Sequence, residues 1–350
     1  MSVLWAFDLR FTSALRIGAE REDSENVVTG CPSDTLSAAL VATAAAVYGK
    51  EVEGRSIDDL AKKPPWVVSS LLPWVQLDKS AVMRFVPRPL GTQIGSDGDR
   101  KAFQRVEYMA IDCLSSLKPG ANAPKLYASK CRLVASKDPK IEKVTWAKRT
   151  ARPSVTIDRV TSSTNLFHLE ELWLGDQVGF DGKAVGAGAW ILALTDTENE
   201  MGLLHALLQH LGERGLGADR TRGMGQFKVI QEGRFDKLHS GKDLSLNVFK
   251  KKNRMRCLLG AASPDEALAN ALENKDSRYS LVRRGGVSLG GQKNTMRSRK
   301  ELRLVSQGAR IPDIGHVVGT LRDITPDGFD EHRIWRDGRT LAFLLPETFA

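Results

Sequence analysis

The sequence predicts an α+β fold whose first part runs in the ferredoxin-like order strand, helix, strand, strand, helix, strand. Three observations carry this. Once residues 60–150 are set aside as an irregular insertion, strand-like and helical hydrophobic periods follow one another in that order. A glycine- and arginine-rich run, residues 214–225, falls between the last helix and the last strand. From about Leu244 a second set of strand-like pieces gathers around one short helix, in the manner of a modified copy of the first unit. The expected division is therefore 1–235, carrying the insertion, and 236–350.

Residues 3–11, rich in Leu, Trp and Phe with polar interruptions, are expected as the first strand. After an acidic loop, Glu20 to Glu25, the stretch from Cys31 to Leu36 opens a helix. Ser33 or Asp34 is placed to cap it, Leu36 to Tyr48 is its alanine-rich body, and Gly49 ends it. Pro64, Pro65, Pro73, Pro87, Pro89, Pro119, Pro124 and Pro139 break up the insertion, and 118–152 is expected as a basic, mobile arm. Regular periods resume at Asn165. Leu166 to Leu174 alternates as a strand, and Gly188 to Leu194 is a more fully apolar one. Leu203, Leu204, Leu207, Leu208 and Leu211 recur at helical spacing, and Gln226 to Ile230 closes the set. In the second part, Arg254 to Ala262 reads as a strand, followed by a helix to Leu272 with Pro264 at its first position. Residues 278–284, 300–305, 316–321 and 340–345 read as strands.

The formal net charge of +9 favours a polyanionic partner, and its distribution says more than its total. Residues 1–60 hold five Lys/Arg against ten Asp/Glu, whereas 125–152 hold nine against two and 278–303 eight against one. A merely solvated face mixes both signs, so the two basic tracts point to ligand surfaces. Cys31, Cys113, Cys131 and Cys257 stand far apart with no CxxC pair. That leaves no zinc or redox motif and fits a reduced, cytoplasmic setting. The longest apolar run, Ala38 to Tyr48, is far short of the roughly 18 residues that span a bilayer, and no basic leader precedes the first strand. Neither a membrane span nor a signal peptide is expected.

The run from Arg214 to Gly225 carries the strongest functional signal. Gly215, Gly217, Gly223 and Gly225 let the backbone approach another chain and take positive φ. Arg214, Arg220 and Arg222 supply forked donors suited to phosphate oxygens. Such a loop is suited to hold a phosphodiester backbone; a flexible surface turn has the same composition. A second cluster holds Arg283, Arg284, Gly285, Gly286, Gly290, Gly291 and Lys293, and continues through Arg297, Arg299, Lys300 and Arg303. It reads as a phosphate-contacting sheet edge or as an edge strand guarded by charge. Ser33 and Thr35 stand where free helix N–H groups and hydroxyls receive a phosphate, or where a cap merely satisfies them. Arg152 and Arg159, the latter beside Asp158, are RNA contacts or internal ion pairs; spacing does not separate these. Trp66, Trp74, Trp146 and Trp173 offer faces for base stacking or for the core.

Catalytic motifs are missing. There is no HExxH, GxSxG or GxxxxGK[ST], and Arg220 stands where a GxGxxG run would place its last glycine. His205 and His210, five apart, do not share a helix face, and His168 sits within a predicted strand as a packed residue. No metal site or cofactor is expected.

The ordered set of short motifs resembles one family. The pieces are residues 32–40 (Pro32 to Leu40), Ser69 to Pro73, Pro87 to Leu90, Arg105 to Met109, Ile157 to Thr161, Asn165 to Glu171, Gly215 to Phe227, Arg284 to Gly286 and Leu341 to Pro346. They resemble the RAMP subunits of type III-A CRISPR effector complexes that cap the crRNA 5′ end, the family of the fourth Csm subunit. Ser37 stands where that family commonly has an aromatic, and 60–150 matches only at short anchors. The resemblance implies tandem ferredoxin-like (RRM-like, RAMP) domains with a glycine-rich loop and an inserted thumb-like hairpin. It implies that the chain binds the crRNA 5′ handle and adjoins the large polymerase-like subunit and a backbone RAMP subunit, meets target RNA only indirectly, and catalyses nothing itself. The competing expectations are a RAMP-type endoribonuclease that processes crRNA precursors through His168 or His205, and a scaffold whose basic tracts dock acidic proteins.

Overall fold

The computed structural model describes residues 2–18, 27–77, 82–92, 105–114, 126–128, 132–135, 139–175, 186–238, 254–289, 296–329 and 331–346. Its largest sheet is built around β1 (Val3–Phe11). After α1 (Ser33–Tyr48) come β2 (Trp66–Val68), β3 (Leu72–Gln76), β4 (Met83–Pro87), β5 (Tyr108–Ala110), β6 (Tyr127–Ala128) and β7 (Leu133–Ala135). A hairpin of β8 (Ala147–Ile157) and β9 (Thr164–Leu174) follows, then β10 (Gly186–Thr195), α2 (Glu198–Arg214) and β11 (Phe227–Arg234).

The sheet runs β11-β1-β10-β3-β4-β5-β7-β6, with β2 also pairing β10. Its first four positions are the 4-1-3-2 arrangement of the βαββαβ unit, all antiparallel. The second strand of that unit is not the expected one. Leu166 to Leu174 pairs instead with β8, residue for residue from Thr164–Ile157 to Leu174–Ala147, in a two-stranded ribbon outside the large sheet. The core strand comes instead from inside the segment set aside as an insertion: β2 and β3 are buried almost throughout. A strand buried on both faces reads as an apolar run without alternation, and Pro73 disguises it further. The basic arm expected over 118–152 is anchored in its described part, because Ile141, Val144 and Trp146 are buried.

α2 starts with a capping box. The Thr197 hydroxyl accepts from the Glu200 N–H at 3.2 Å, and the Glu200 carboxylate accepts from the Thr197 N–H at 3.1 Å. Its leucines pack on the sheet beside α1. α1 is capped differently from the sequence expectation. The N-cap is Pro32, no side chain caps the helix, and Ser33 and Asp34 lie inside it, buried. One bidentate pair crosses the sheet interior: Arg84 donates to both Asp8 oxygens at 2.9 and 2.6 Å.

The carboxy-terminal part contains β12 (Met255–Leu258), α3 (Glu266–Leu272), β13 (Leu281–Arg284), β14 (Leu302–Val305), β15 (Arg310–Pro312), β16 (Val317–Val318), β17 (Trp335–Asp337) and β18 (Thr340–Leu344). α3 begins at Glu266 with Asp265 as its side-chain cap, so Pro264 precedes the cap rather than opening the helix. Four strands form a sheet in the order β15-β12-β18-β16, which is not the order of the first unit. β13 pairs with β14 in a separate ribbon. The two parts are stitched together by main-chain bonds: the Ser70 N–H donates to Leu259 O at 3.0 Å and the Leu90 N–H to Gly308 O at 2.8 Å. Cys257, Leu259, Leu341 and Phe343 join the same apolar core as β1 and α1. Among the described residues no helix is long and apolar enough to cross a membrane.

Candidate nucleic-acid interface

The glycine–arginine loop leaves α2 at Gly215, whose N–H still donates to Leu211 O at 2.8 Å. It then doubles back on itself. The Leu216 N–H donates to Gly225 O, and the Gly225 N–H reaches Ala14 O at 2.8 Å. All four glycines adopt positive φ: 87° at Gly215, 94° at Gly217, 77° at Gly223 and 75° at Gly225. At three of them there is also no room. A Cβ would sit 2.1 Å from Met224 O at Gly215, 2.4 Å from Arg16 O at Gly217 and 1.9 Å from Leu216 O at Gly225. Only Gly223 faces open space. The loop is therefore a rigid frame with an exposed tip, Arg220 to Gly223, wound as one 3₁₀ turn. Asp219 starts the tip in the left-handed region, at φ 56°, and its carboxylate accepts from Arg16 Nη1 at 2.9 Å. That pairing takes the loop's one acid away from its arginines. Among the described residues no acidic side chain pairs with Arg214, Arg220 or Arg222.

Arg16 extends this surface along the chain. Its carbonyl accepts from the Ala218 N–H at 2.8 Å, and neighbouring Leu15 exchanges two main-chain bonds with Leu172 at the base of the β8–β9 hairpin. The Val28 N–H donates to Ile17 O at 2.9 Å, and Arg149 of the hairpin donates to the Thr29 hydroxyl at 3.0 Å. Loop, hairpin base and residues 27–29 thus form one continuous strip.

The hairpin projects from that strip. Along its outer half Val155, Ile157, Val160 and Leu166 are all more than half exposed. At the tip the Asp158 carboxylate accepts from the Val160 and Thr161 N–H groups at 2.7 and 2.9 Å. Those bonds, with the Thr161 N–H first, lower its carboxyl below the ordinary value. The acid beside Arg159 is therefore engaged by backbone, and among the described residues Arg159 has no acidic partner. Arg152, the other arginine of this stretch, lies within β8 and pairs with the buried Glu171 at 3.3 Å.

At the amino terminus of α1 the structure gathers residues from opposite ends of the chain. The Asp34 carboxylate, fully buried, accepts from Arg336 and lies 3.8 Å from Arg284 Nε. Arg336 also donates to Gly285 O at 3.0 Å. Arg299 donates to the Ser288 hydroxyl at 3.0 Å; burial, and then the nearby Arg336 charge, lowers its guanidinium below the ordinary value. Ser33 is buried with its N–H on the Ser70 hydroxyl at 3.1 Å, and the Thr35 N–H bonds Pro32 O. The expected open helix N-terminus is therefore largely satisfied from within, by the Ser70 hydroxyl and Pro32 O. Arg283 is tied to Glu301 at 2.6 Å. Lys293 lies outside the described residues.

Two groups of expected site residues come together, while Arg152 pairs with Glu171 and Arg283 with Glu301. The loop residues Gly215, Gly217, Arg220, Arg222, Gly223 and Gly225 come together with Arg16; Ser33, Arg284 and Arg299 come together around Asp34 and Arg336. Arg16 and Arg336 were not singled out from the sequence: Arg16 stands alone between Leu15 and Ile17, and Arg336 lies beside Asp337, a local pair that carries no signal of its partner Asp34. Trp66, Trp74 and Trp146 are fully buried, each indole N–H on a protein oxygen, and are not stacking platforms. His168 is exposed on the hairpin rather than packed. His205 is half-buried, 2.8 Å from the Glu232 carboxylate. Among the described residues no cluster of His, Cys, Asp and Glu could hold a metal ion.

The RAMP superfamily model matches residues 8–228, well over half of the chain. The chain belongs to the RAMP superfamily. The model of the CRISPR Csm4 C-terminal domain matches residues 251–345. Two curated relatives named CRISPR system Cms protein Csm4, from Mycobacterium tuberculosis strains CDC 1551 and H37Rv, are each 25% identical over 330 residues, 93% of either chain. These matches make it a RAMP protein of the Csm4 kind, a subunit type of type III CRISPR effectors. A chain of the type III-B Cmr-beta complex bound to cognate target RNA and AMPPnP superposes with a TM-score of 0.43 and 10% identity, covering 89% of this chain and 86% of that one.

Proposed function

We propose that this RAMP protein is a non-catalytic subunit that holds the 5′ handle of crRNA and links the large polymerase-like subunit to the backbone RAMP subunits. The observation that carries the reading is the loop tip from Arg220 to Gly223: exposed guanidinium groups without acid partners among the described residues, on a backbone frame that only glycine can build. Phosphates of an RNA strand supply the missing counter-charges. Arg16 and the strip through Thr29 continue the path toward Arg284. In this reading the units are 1–235 and 236–350, and the hairpin β8–β9 is the thumb that separates guide from target, with Arg159 at its tip.

The test is RNA retention across a salt series. Arg220→Ala together with Arg222→Ala should weaken binding and flatten the dependence of log affinity on log salt by about 1.4, at roughly 0.7 per single-stranded phosphate contact. An unchanged slope rules the loop out as the grip. Incubation with repeat RNA checks the enzymatic reading: metal-independent cutting that disappears in His168→Ala overturns the non-catalytic assignment.

A further inference from the structure

The second basic tract, 278–303, presents a face that the RNA-holding reading does not use. Side chains alternate along β13. Val282 and Arg284 turn inward and line a cavity of about 180 Å³ beside the amino terminus of α1. The residues between and before them turn outward: Tyr279 is 44% exposed, Leu281 52% and the Arg283 side chain 60%. Aromatic rings and arginine are the residue types enriched where proteins meet.

The charges on this face do not balance. Across the ribbon, Arg283 stands directly opposite Arg303, and like charges so placed repel and destabilise the pair. Glu301 answers one of them, 2.6 Å from Arg283 Nε. Elsewhere in the tract each described cation has a protein acceptor. Arg278 donates to Lys275 O and Ser277 O, both at 2.7 Å. Arg284 and Lys300 pair with Asp34 and Asp327. Arg297 and Arg299 donate to Asp327 O and the Ser288 hydroxyl. Exposed Arg303 has no acceptor among the described residues. The ribbon thus keeps a repulsive pair beside an apolar pair that stands in water. A carboxylate next to an apolar side chain, brought from outside, satisfies both at once.

We infer that the outer face of the β13–β14 ribbon docks a partner protein, at a segment where an apolar residue is flanked by Asp or Glu. The apolar side chain seats on Tyr279 and Leu281, and the carboxylate pairs with Arg303. Nucleic acid suits the face less well, because a phosphate answers Arg303 but leaves Leu281 in water. The dock stands apart from the RNA grip: it needs neither the glycine–arginine loop nor the residues around Asp34.

The test is made in the assembled effector, with the full chain co-expressed beside the other subunits and a CRISPR array, and photoreactive p-benzoylphenylalanine in place of Tyr279. Irradiation should join the chain to a peptide of another subunit that carries Asp or Glu. Arg303→Glu then separates docking from folding. It sets a carboxylate opposite Arg283, so the free chain should melt no lower than the parent, while affinity for the crosslinked partner falls about tenfold or more. Leu281→Ser should weaken that affinity on the same scale, with RNA retention unchanged in both variants. Reversing the partner's carboxylate to lysine should restore binding to the Arg303→Glu chain. A crosslink to RNA overturns the protein assignment in favour of a nucleic-acid face. A crosslink to a second copy of this chain overturns it in favour of self-association. No crosslink, or an affinity unchanged in both variants, overturns the dock altogether. None of these results bears on Arg220 and Arg222, whose grip fails by its own salt slope.

Discussion

The glycine–arginine loop and the amino terminus of α1 both place arginines on an ordered backbone, and they use them in opposite ways. In the loop, Asp219 is drawn off by Arg16, so Arg220 and Arg222 point outward with no acid partner among the described residues. At α1, Asp34 is buried and takes Arg336 and Arg284 onto itself, joining the first ferredoxin-like unit to the carboxy-terminal part. The same residue type is a ligand grip in one place and a lock between units in the other. What separates them is where the nearest carboxylate goes, not how basic the segment is. The basic tract 278–303 illustrates this: Arg283 is spent on Glu301 and Arg284 on Asp34.

Removing Asp34 is the strongest way to break this contrast. Asp34→Ala leaves two enclosed guanidinium groups without compensation, and breaking such a buried pair costs about 3–5 kcal/mol. Urea denaturation should show that loss, whereas Arg220→Ala with Arg222→Ala should stay within about 0.5 kcal/mol of the parent, as exposed substitutions do. If the two variants are equally stable, the lock and the grip are not different devices.

The glycines sharpen the contrast from the other side. Gly225→Ala drives a Cβ to 1.9 Å from Leu216 O at φ 75°, so the loop must open, with an expected loss above about 2 kcal/mol and of RNA retention. Gly223→Ala meets nothing within 4 Å and bears only the strain of φ 77°, about 1 kcal/mol. Thermal melts of both variants, read beside their RNA affinities, check the order. Equal effects would mean that the tip, not the frame, sets the loop's shape.

The parts of the fold governed by local pattern were legible. α2 announced itself by leucines at helical spacing, and the loop by its glycines. The second core strand was misplaced because the pattern rewards the wrong segment: β9 mixes polar and apolar residues along a ribbon whose outer half is exposed, whereas β2 and β3 are buried almost throughout and interrupted by Pro73. The ionic lock was illegible for a different reason. Asp34 and Arg336 stand 302 positions apart, and an aspartate at the start of a helix reads as a cap. Ser33 and Arg284 were singled out separately, yet nothing in the sequence placed them beside a common cavity.

The hairpin tip offers a third case on which the contrast can fail. Arg159 is freed of its neighbour because Asp158 is held by the Thr161 and Val160 N–H groups, as Arg220 is freed because Asp219 turns to Arg16. Those bonds depress the Asp158 pKa below its ordinary 3.8. A carboxyl with a depressed folded-state pKa contributes stability that is complete above the unfolded value and is lost as pH falls through the folded one. The tip should therefore open below pH 3.8, seen as faster exchange of the Val160 and Thr161 amides, while the buried β1–β10 amides stay protected. Asp158→Asn keeps an acceptor oxygen and should remove the pH response while leaving the turn closed. Tip amides that exchange at the same rate across that range would show that the turn does not depend on the carboxylate, and that Arg159 is exposed for some other reason than the capture of its neighbouring acid.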